Sequence, residues 1–175
     1  MTYFAGRFEI AGNTSILIAS EYLSNVNSGK GLMLGGIAGL SPTDVVIIGS
    51  GTVGEYACRT SLGLGCNVKV FDSSLSRLRR LHQHTQRNVS TSLIQPKSLR
   101  KALKRADVVI GALRSGDGRT PCVVSETMVK DMKEGSVIVD VSIDRGGCFE
   151  TSEITTHKNP FIEKFILFTI LCPSS

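Results

Sequence analysis

The chain has 175 residues, which is enough for one domain with a sizeable core and too few for two full domains. Hydrophobic residues make up 41% of the sequence and charged residues 20%, proportions that exclude a long disordered chain. The net charge of +5 is concentrated in two short segments, 77–82 and 97–105. In the second segment, leucine and alanine recur at helical spacing with no aromatic residues among the charges, so we expect a solvated helix face and no nucleic-acid partner.

The spacing of the cysteines and histidines does not match that of a metal site. The five cysteines form no C-x-x-C pair, and no histidine lies at metal-ligand spacing, so we predict no metal site and expect buried, reduced thiols. The three histidines, His82, His84 and His157, are interpreted as surface residues. The longest apolar run, 165–172, is far below the roughly 20 residues of a membrane span, and no signal peptide is apparent. We therefore expect a cytoplasmic protein with no membrane partner.

The predicted elements begin with a helix over 14–23, followed by a glycine-rich connection that leads into the main domain at about residue 44. From there β-branched runs alternate with helical patterns, which predicts strands at 45–48, 68–71, 89–91, 107–112 and 137–141. The first intervening helix is expected to end at Gly65, and the last to begin at Ser125 and stop at Gly135. Because parallel neighbours need crossover connections, we predict an α/β fold, a Rossmann-type doubly wound parallel sheet with helices on both faces.

A glycine-rich turn follows the first strand. Gly49, Gly51 and Gly54 fit G-x-G-x-x-G, a weak signal alone but here set between a strand and a helix. The first glycine would allow the tight turn, the second the approach of a pyrophosphate, and the third close packing of helix and strand. A tight strand-to-helix connection without a ligand is the alternative. We favour a dinucleotide site.

Asp72 ends the second strand, 18 residues beyond Gly54. A carboxylate at this position can accept hydrogen bonds from a ribose diol and would repel a 2′-phosphate, which favours NAD over NADP. Arg77 and Arg79 lie nearby, so NADP remains an alternative cofactor.

Four segments carry a resemblance to a known family. They are "GSVIVDVSIDRGGCFETSEITTH" at 135–157, "AGNTSILIASEYL", "GKGLMLGGIAG" and "ADVVIGAL". Together they resemble the NAD-binding domain of alanine dehydrogenase, a domain whose fold is shared by the NAD-binding component of the proton-translocating transhydrogenase. The resemblance extends from Ile10 to Pro160.

The resemblance implies a set of site residues. Asp144 corresponds to the family's catalytic aspartate, although a carboxylate that caps a loop is the alternative. Arg77 matches a basic position near the adenine, and Ile143 lies beside the nicotinamide. The full predicted cofactor-binding set is Gly49, Ser50, Gly51, Thr52, Val53, Gly54, Asp72, Ser73, Arg77, Ala112, Leu113 and Ile143.

The implied activity is the reversible oxidative deamination of L-alanine to pyruvate and ammonia, with NAD as hydride carrier. In the family a separate substrate-binding domain grips the carboxylate, and the full enzyme is expected to be a homo-oligomer. We expect that domain to be absent here, as in a truncated or frame-disrupted gene, so that L-alanine or pyruvate binds only if the domain is supplied. The expected layout is a linking helix and lead-in at 1–43, an NAD-binding domain at 44–160 and an apolar tail at 161–175.

Two alternatives remain open at this point. One is a non-catalytic module that binds NAD or a partner, for which the apolar segment Phe165–Cys172 would be the contact. The other is a transhydrogenase component. Residues 73–81 lack the Arg-Pro-Glu pattern expected there, which makes this the minor alternative.

Overall fold

The computed structural model describes residues 2–24, 29–86, 89–114, 118–152, 161–162 and 165–169, with the backbone alone for 2–5, 144, 161–162 and 165–169. The helices in these residues are α1 Thr2–Leu23, α2 Thr52–Gly63, α3 Leu75–Thr85, α4 Pro96–Leu103 and α5 Glu126–Lys130. The strands are β1 Asp44–Ile48, β2 Asn67–Asp72, β3 Ser90–Leu93, β4 Val108–Gly111, β5 Val137–Asp140, β6 Phe161–Ile162 and β7 Phe165–Thr169.

The strands form one sheet in the order β3-β2-β1-β4-β5-β7-β6. All neighbours are parallel except β6 and β7, which are antiparallel. The register sets Ile48 opposite both Phe71 and Gly111, and Gly111 opposite Asp140. The carboxyl ends of β1, β2, β4 and β5 therefore meet at one edge, where ligands bind in doubly wound sheets. The predicted fold class is confirmed.

Alternate residues of each strand enter two cores, one on each face of the sheet. On one face, Val45 and Ile47 join a cluster that includes Ile16 and Leu81 of the helices. On the other face, Val46 and Ile48 pack with residues of α4 and with Phe71. Burial on both faces explains why β1, β4 and β5 are runs of apolar residues rather than alternating patterns.

Helix α1 begins 12 residues before the predicted start at residue 14. It contains Gly6 and Gly12, and glycine in a helix interior usually disfavours the helix. Gly12 lies against α2 so closely that a Cβ there would come 2.4 Å from the carbonyl oxygen of Val53. Packing against α2, which the sequence pattern does not reveal, therefore stabilises the longer helix.

Two other elements differ from expectation. Ser125 caps α5 as predicted, since its hydroxyl accepts a hydrogen bond from the Met128 amide, but the helix ends at Lys130 and not at Gly135. Met132, which the longer predicted helix would have contained, is nevertheless buried, in the turn after the helix. Within the segment expected to be an apolar tail, β7 pairs in parallel with β5 and extends the sheet. Among the residues described, no helix is both long and apolar enough to span a membrane.

Candidate nucleotide site

The turn after β1 is held by close backbone contacts. The Gly49 amide donates a hydrogen bond to the Phe71 carbonyl at 2.7 Å, and Gly49 has a φ of +112°. A Cβ on Gly49 would lie 2.4 Å from the carbonyl oxygen of Ala112, and one on Gly54 would lie 1.9 Å from that of Gly49. The fold itself therefore requires glycine at these two positions, whether or not a ligand binds.

Gly51 differs from the other two glycines. Its backbone is extended, with φ −71° and ψ −168°, a conformation open to any residue. A Cβ on it would meet no atom of the described residues within 4 Å. Gly51 is the N-cap of α2, and no side chain caps that helix end. Amide groups of the first helical turn and the positive end of the helix dipole face the open space. This arrangement can hold an anion against the backbone.

Asp72 lies beside the turn and is fully buried. Its Oδ2 accepts hydrogen bonds from the Ser50 amide at 2.7 Å and the Ser50 hydroxyl at 2.8 Å. Its Oδ1 accepts one from the Ser74 amide at 2.8 Å. The carboxylate therefore joins the loop after β1 to the loop after β2. Among the described residues Oδ1 has one donor, so it has capacity for one further hydrogen bond.

The remaining predicted residues fall at two places. Thr52 and Val53 form the first turn of α2, and Ala112 and Leu113 are buried directly after β4, where the Ala112 amide donates to the Ile48 carbonyl at 2.7 Å. Ser73 is exposed at the mouth of the turn, after β2.

Arg77 lies further out, with an exposed side chain in the first turn of α3. No described ion pair links it to the glycine turn. Ile143 is buried in a short 3-10 helix, Ile143–Arg145, that follows β5. Asp144 belongs to the same helix, and its side chain lies outside the described residues.

Sequence reasoning missed Asp140, the last residue of β5. It is fully buried, and its two oxygens accept five hydrogen bonds, four from N–H and O–H donors and one from a thiol. Oδ1 receives the Ser142 amide and hydroxyl at 2.9 and 2.6 Å, and Oδ2 receives the Cys148 amide at 3.1 Å and the Ser152 hydroxyl at 2.7 Å. Asp140 thus fixes the loop that carries Ile143 and Asp144. The sequence feature that marks it is a single carboxylate inside the otherwise β-branched run 137–141.

Cys148 completes this part of the site as a neutral group. Burial, and secondly the negative charge of Asp140, raise the pKa of its thiol well above the ordinary value. The protonated sulfur lies 3.9 Å from Asp140 Oδ1 and donates to it. A thiol in this state is a poor nucleophile.

The two described histidines make their side-chain contacts outside residues 49–54. His84 Nδ1 contacts Glu55 Oε1 at 3.1 Å, and His82 Nε2 contacts Thr91 Oγ1 at 3.0 Å. Cys58 and Cys66 are buried as expected, whereas Cys122 is exposed and corrects that expectation. His157 and Cys172 lie outside the described residues. Across the described part of the chain, no three potential ligands are grouped to hold a metal ion.

Comparison with known proteins adds to this geometry. Residues 15–172 match the family model for the alanine dehydrogenase/PNT C-terminal domain. The chain belongs to this family. It is 44% identical over 158 residues to the alanine dehydrogenase of Methanococcus maripaludis and 42% identical over 153 residues to that of Staphylococcus haemolyticus. The resemblance inferred from the sequence is confirmed.

Solved structures agree with the family assignment. An L-alanine dehydrogenase superposes with a TM-score of 0.89 at 34% identity, covering 95% of this chain and 46% of the other. A transhydrogenase from Sinorhizobium meliloti superposes with a TM-score of 0.76 at 19% identity, which shows a shared fold. This member of the alanine dehydrogenase/PNT family spans 42% and 41% of the length of the two curated relatives, although they match 90% and 87% of its residues.

Proposed function

We propose that this chain is the NAD(H)-binding domain of an alanine dehydrogenase. The observation that carries the proposal is Gly51. Among the described residues nothing fills the space beside it, and its backbone does not require glycine. Gly63 shares these two features, but Gly51 is also the N-cap of α2 with no side-chain cap, where a group from outside can come against the backbone amides. A pyrophosphate at a helix N-terminus is such a group.

The remaining predicted residues are assigned around this point. Residues 49–54 would hold the diphosphate through backbone amides. Asp72 is fully buried here, so it would accept a ribose hydroxyl on Oδ1 only when the loop after β2 moves to uncover it. Its negative charge would disfavour a 2′-phosphate, which supports NAD over NADP. Ser73 and Arg77 would lie on the adenosine side, and Ala112, Leu113 and Ile143 would line the nicotinamide side.

The proposed reaction is the oxidative deamination of L-alanine to pyruvate and ammonia and its reverse. NAD, when bound, supplies the hydride acceptor. Asp144 is proposed as the catalytic carboxylate of this chain, placed by the loop that Asp140 fixes. The L-alanine or pyruvate would bind only with a substrate domain, as in relatives of more than twice this length, and the full enzyme is proposed to be a homo-oligomer. Location in the cytoplasm stays a prediction.

Cofactor binding is tested by fluorescence titration of the chain with NADH, comparing Gly51→Ala with Gly63→Ala. Both glycines have open space for a Cβ and neither has a positive φ, so both variants should fold. We expect Gly51→Ala to weaken NADH binding roughly tenfold or more, because the methyl group displaces the diphosphate from its amides. Gly63→Ala should bind like the parent chain. Equal binding by all three proteins, or none by the parent, would overturn the proposal.

Turnover is tested separately by following NADH formation with L-alanine. The chain alone should give no turnover, and addition of the substrate domain of a relative, fused to it, should restore measurable deamination. In the fused protein, Asp144→Asn should abolish turnover while NADH binding persists. Turnover by the chain alone would refute the need for a substrate domain, and an active Asp144→Asn protein would refute the role of that carboxylate.

A further inference from the structure

A cavity of about 440 Å³ lies at the opposite edge of the sheet, where the strands begin. Its walls are the first residues of β1, β2 and β3 together with one side of α4. Asp44 at this edge and Gly49 at the glycine turn are separated by the length of β1, roughly 16 Å at 3.3 Å per residue. The cavity is therefore distinct from the proposed dinucleotide site.

The four basic residues at 100–105, in the last turn of α4 and directly after it, divide into two groups. Arg100 and Lys104 form ion pairs with Asp131 at 2.6 and 3.5 Å. Lys101 and Arg105 instead line the cavity, together with Lys69 of β2. Among the residues that the structure describes, none of these three cations has a carboxylate within 4.0 Å.

The positive charge at the cavity is not confined to an exposed helix face, as the sequence predicted, because Lys69 of the sheet contributes to it. Lys69 lies on the sheet and is half-buried, with its ammonium nitrogen 5.3 Å from the centre of the Phe71 ring. The Phe71 ring contacts this ammonium on one side, and an anion in the cavity would pair with it on the other. Three cations, from β2, from α4 and from the turn after α4, thus line one cavity.

Two hydroxyl groups and one carboxylate also line the cavity. Ser90 and Ser98 line the cavity, and neither hydroxyl has a hydrogen-bond partner among the described residues. Asp44 also lines it; its Oδ1 accepts a hydrogen bond from the side-chain Nδ2 of Asn67, and its Oδ2 has no donor among the described residues. The wall therefore offers donors and cations for an anion, and one carboxylate oxygen for a hydroxyl.

We propose that this cavity binds a small phosphate ester that carries hydroxyl groups, such as a sugar phosphate. Lys69, Lys101 and Arg105 would hold the phosphate, because lysine acts on phosphate as a point charge and arginine as a bidentate donor. Asp44 would accept a hydroxyl of the sugar. A volume of about 440 Å³ is within the range of small-molecule sites. Nucleic acid is disfavoured because no aromatic residue is among the described residues that line the cavity.

The test is titration of the full ¹⁵N-labelled chain with ribose 5-phosphate in 0.15 M salt, followed by amide chemical shifts. We expect saturable shifts at residues 101–105 and at Ser90, with little change at residues 49–54. Lys101→Gln/Arg105→Gln should weaken binding roughly tenfold or more. Lys97→Gln/Lys104→Gln is the matched control, since it removes two charges of the same helix outside the cavity wall and should change affinity less than about twofold.

Several results would overturn this assignment. They are the absence of saturable shifts, shifts confined to residues 49–54, equal weakening in the control variant, or the same shifts with ribose that lacks the phosphate. Gly51→Ala should leave the affinity for ribose 5-phosphate unchanged. Loss of NADH binding without loss of ribose 5-phosphate binding would therefore separate the two sites.

Discussion

The carboxylate of Asp72 accepts hydrogen bonds from both the backbone amide and the hydroxyl of Ser50, at 2.7 and 2.8 Å, although the two residues are 22 positions apart in the sequence. A third bond, from the Ser74 amide at 2.8 Å, reaches its other oxygen. Because hydrogen bonds to a charged, buried acceptor are stronger than neutral ones, this carboxylate fixes the glycine turn relative to β2 before any ligand arrives. Asp72 is therefore a structural residue as well as the proposed ribose ligand.

Asp72→Asn should destabilise the fold and weaken NADH binding together. The carboxamide has only one acceptor oxygen, so its amino group would face either the Ser50 donors or the Ser74 amide. An unsatisfied buried donor costs about 1–3 kcal/mol, and urea denaturation should show a loss of that size. Asp131→Asn, which changes a partly exposed carboxylate at the C-cap of α5 that pairs with Arg100 and Lys104, should cause a smaller loss and leave NADH binding unchanged. Full stability in Asp72→Asn would contradict the structural role.

Gly54→Ala and Gly63→Ala should have opposite effects on stability. A Cβ on Gly54 would lie 1.9 Å from the Gly49 carbonyl oxygen, so the turn must move, at a cost of about 1–3 kcal/mol. Gly63 lies in the last turn of α2 with open space around it, and alanine there should add about 0.5–1 kcal/mol through helix propensity. Thermal unfolding of both variants checks this. A stable Gly54→Ala protein would show that the turn is not closed by this contact.

The parts of the fold that sequence predicts well are those governed by local pattern. The β-branched strands, the stop at Gly65 and the cap at Ser125 are short-range features, and all three are found in the structure. The glycine spacing also located the turn, because a strand and a helix must flank it. Family membership was predicted from longer strings and was confirmed by comparison with known proteins.

The parts that sequence missed depend on contacts between distant residues. The start of α1 depends on the fit of Gly12 against Val53, 41 positions later, and helix propensity alone argues against it. The inward hydrogen bonds of Asp72 and the five hydrogen bonds to Asp140 depend on which loops meet at the sheet edge. The division of the cations at 100–105 into paired and unpaired groups depends on where Asp131 lies. No local pattern contains this information.

Stability should fall in alkaline solution because of buried thiols. Burial, and secondly Glu55, raise the pKa of Cys58 to about 12 from an ordinary value of 9.0. Above pH 9 the unfolded chain loses this proton while the folded chain keeps it, so the free energy of unfolding decreases by up to about 1.4 kcal/mol per pH unit. Urea denaturation between pH 8 and 10 should show the slope, and Cys58→Ala should reduce it. The exposed Cys122→Ala variant is the control and should retain most of the slope. An unchanged slope in Cys58→Ala would contradict the assignment.

Removing hydrogen bonds from Asp140 should loosen the loop that carries Asp144 in graded steps. Ser152→Ala removes one of the four N–H and O–H hydrogen bonds to the carboxylate and should cost about 1 kcal/mol. Asp140→Asn turns an amino group toward at least one buried donor, so it should cost about 2–3 kcal/mol and speed hydrogen exchange at the Cys148 amide, which donates to Oδ2 at 3.1 Å. Amides of β1, in the middle of the sheet, provide the internal reference and should keep their protection relative to global unfolding. If Cys148 exchanged no faster in Asp140→Asn than in the parent chain, the loop would have to be held by other contacts, and the proposed placement of Asp144 by Asp140 would fail.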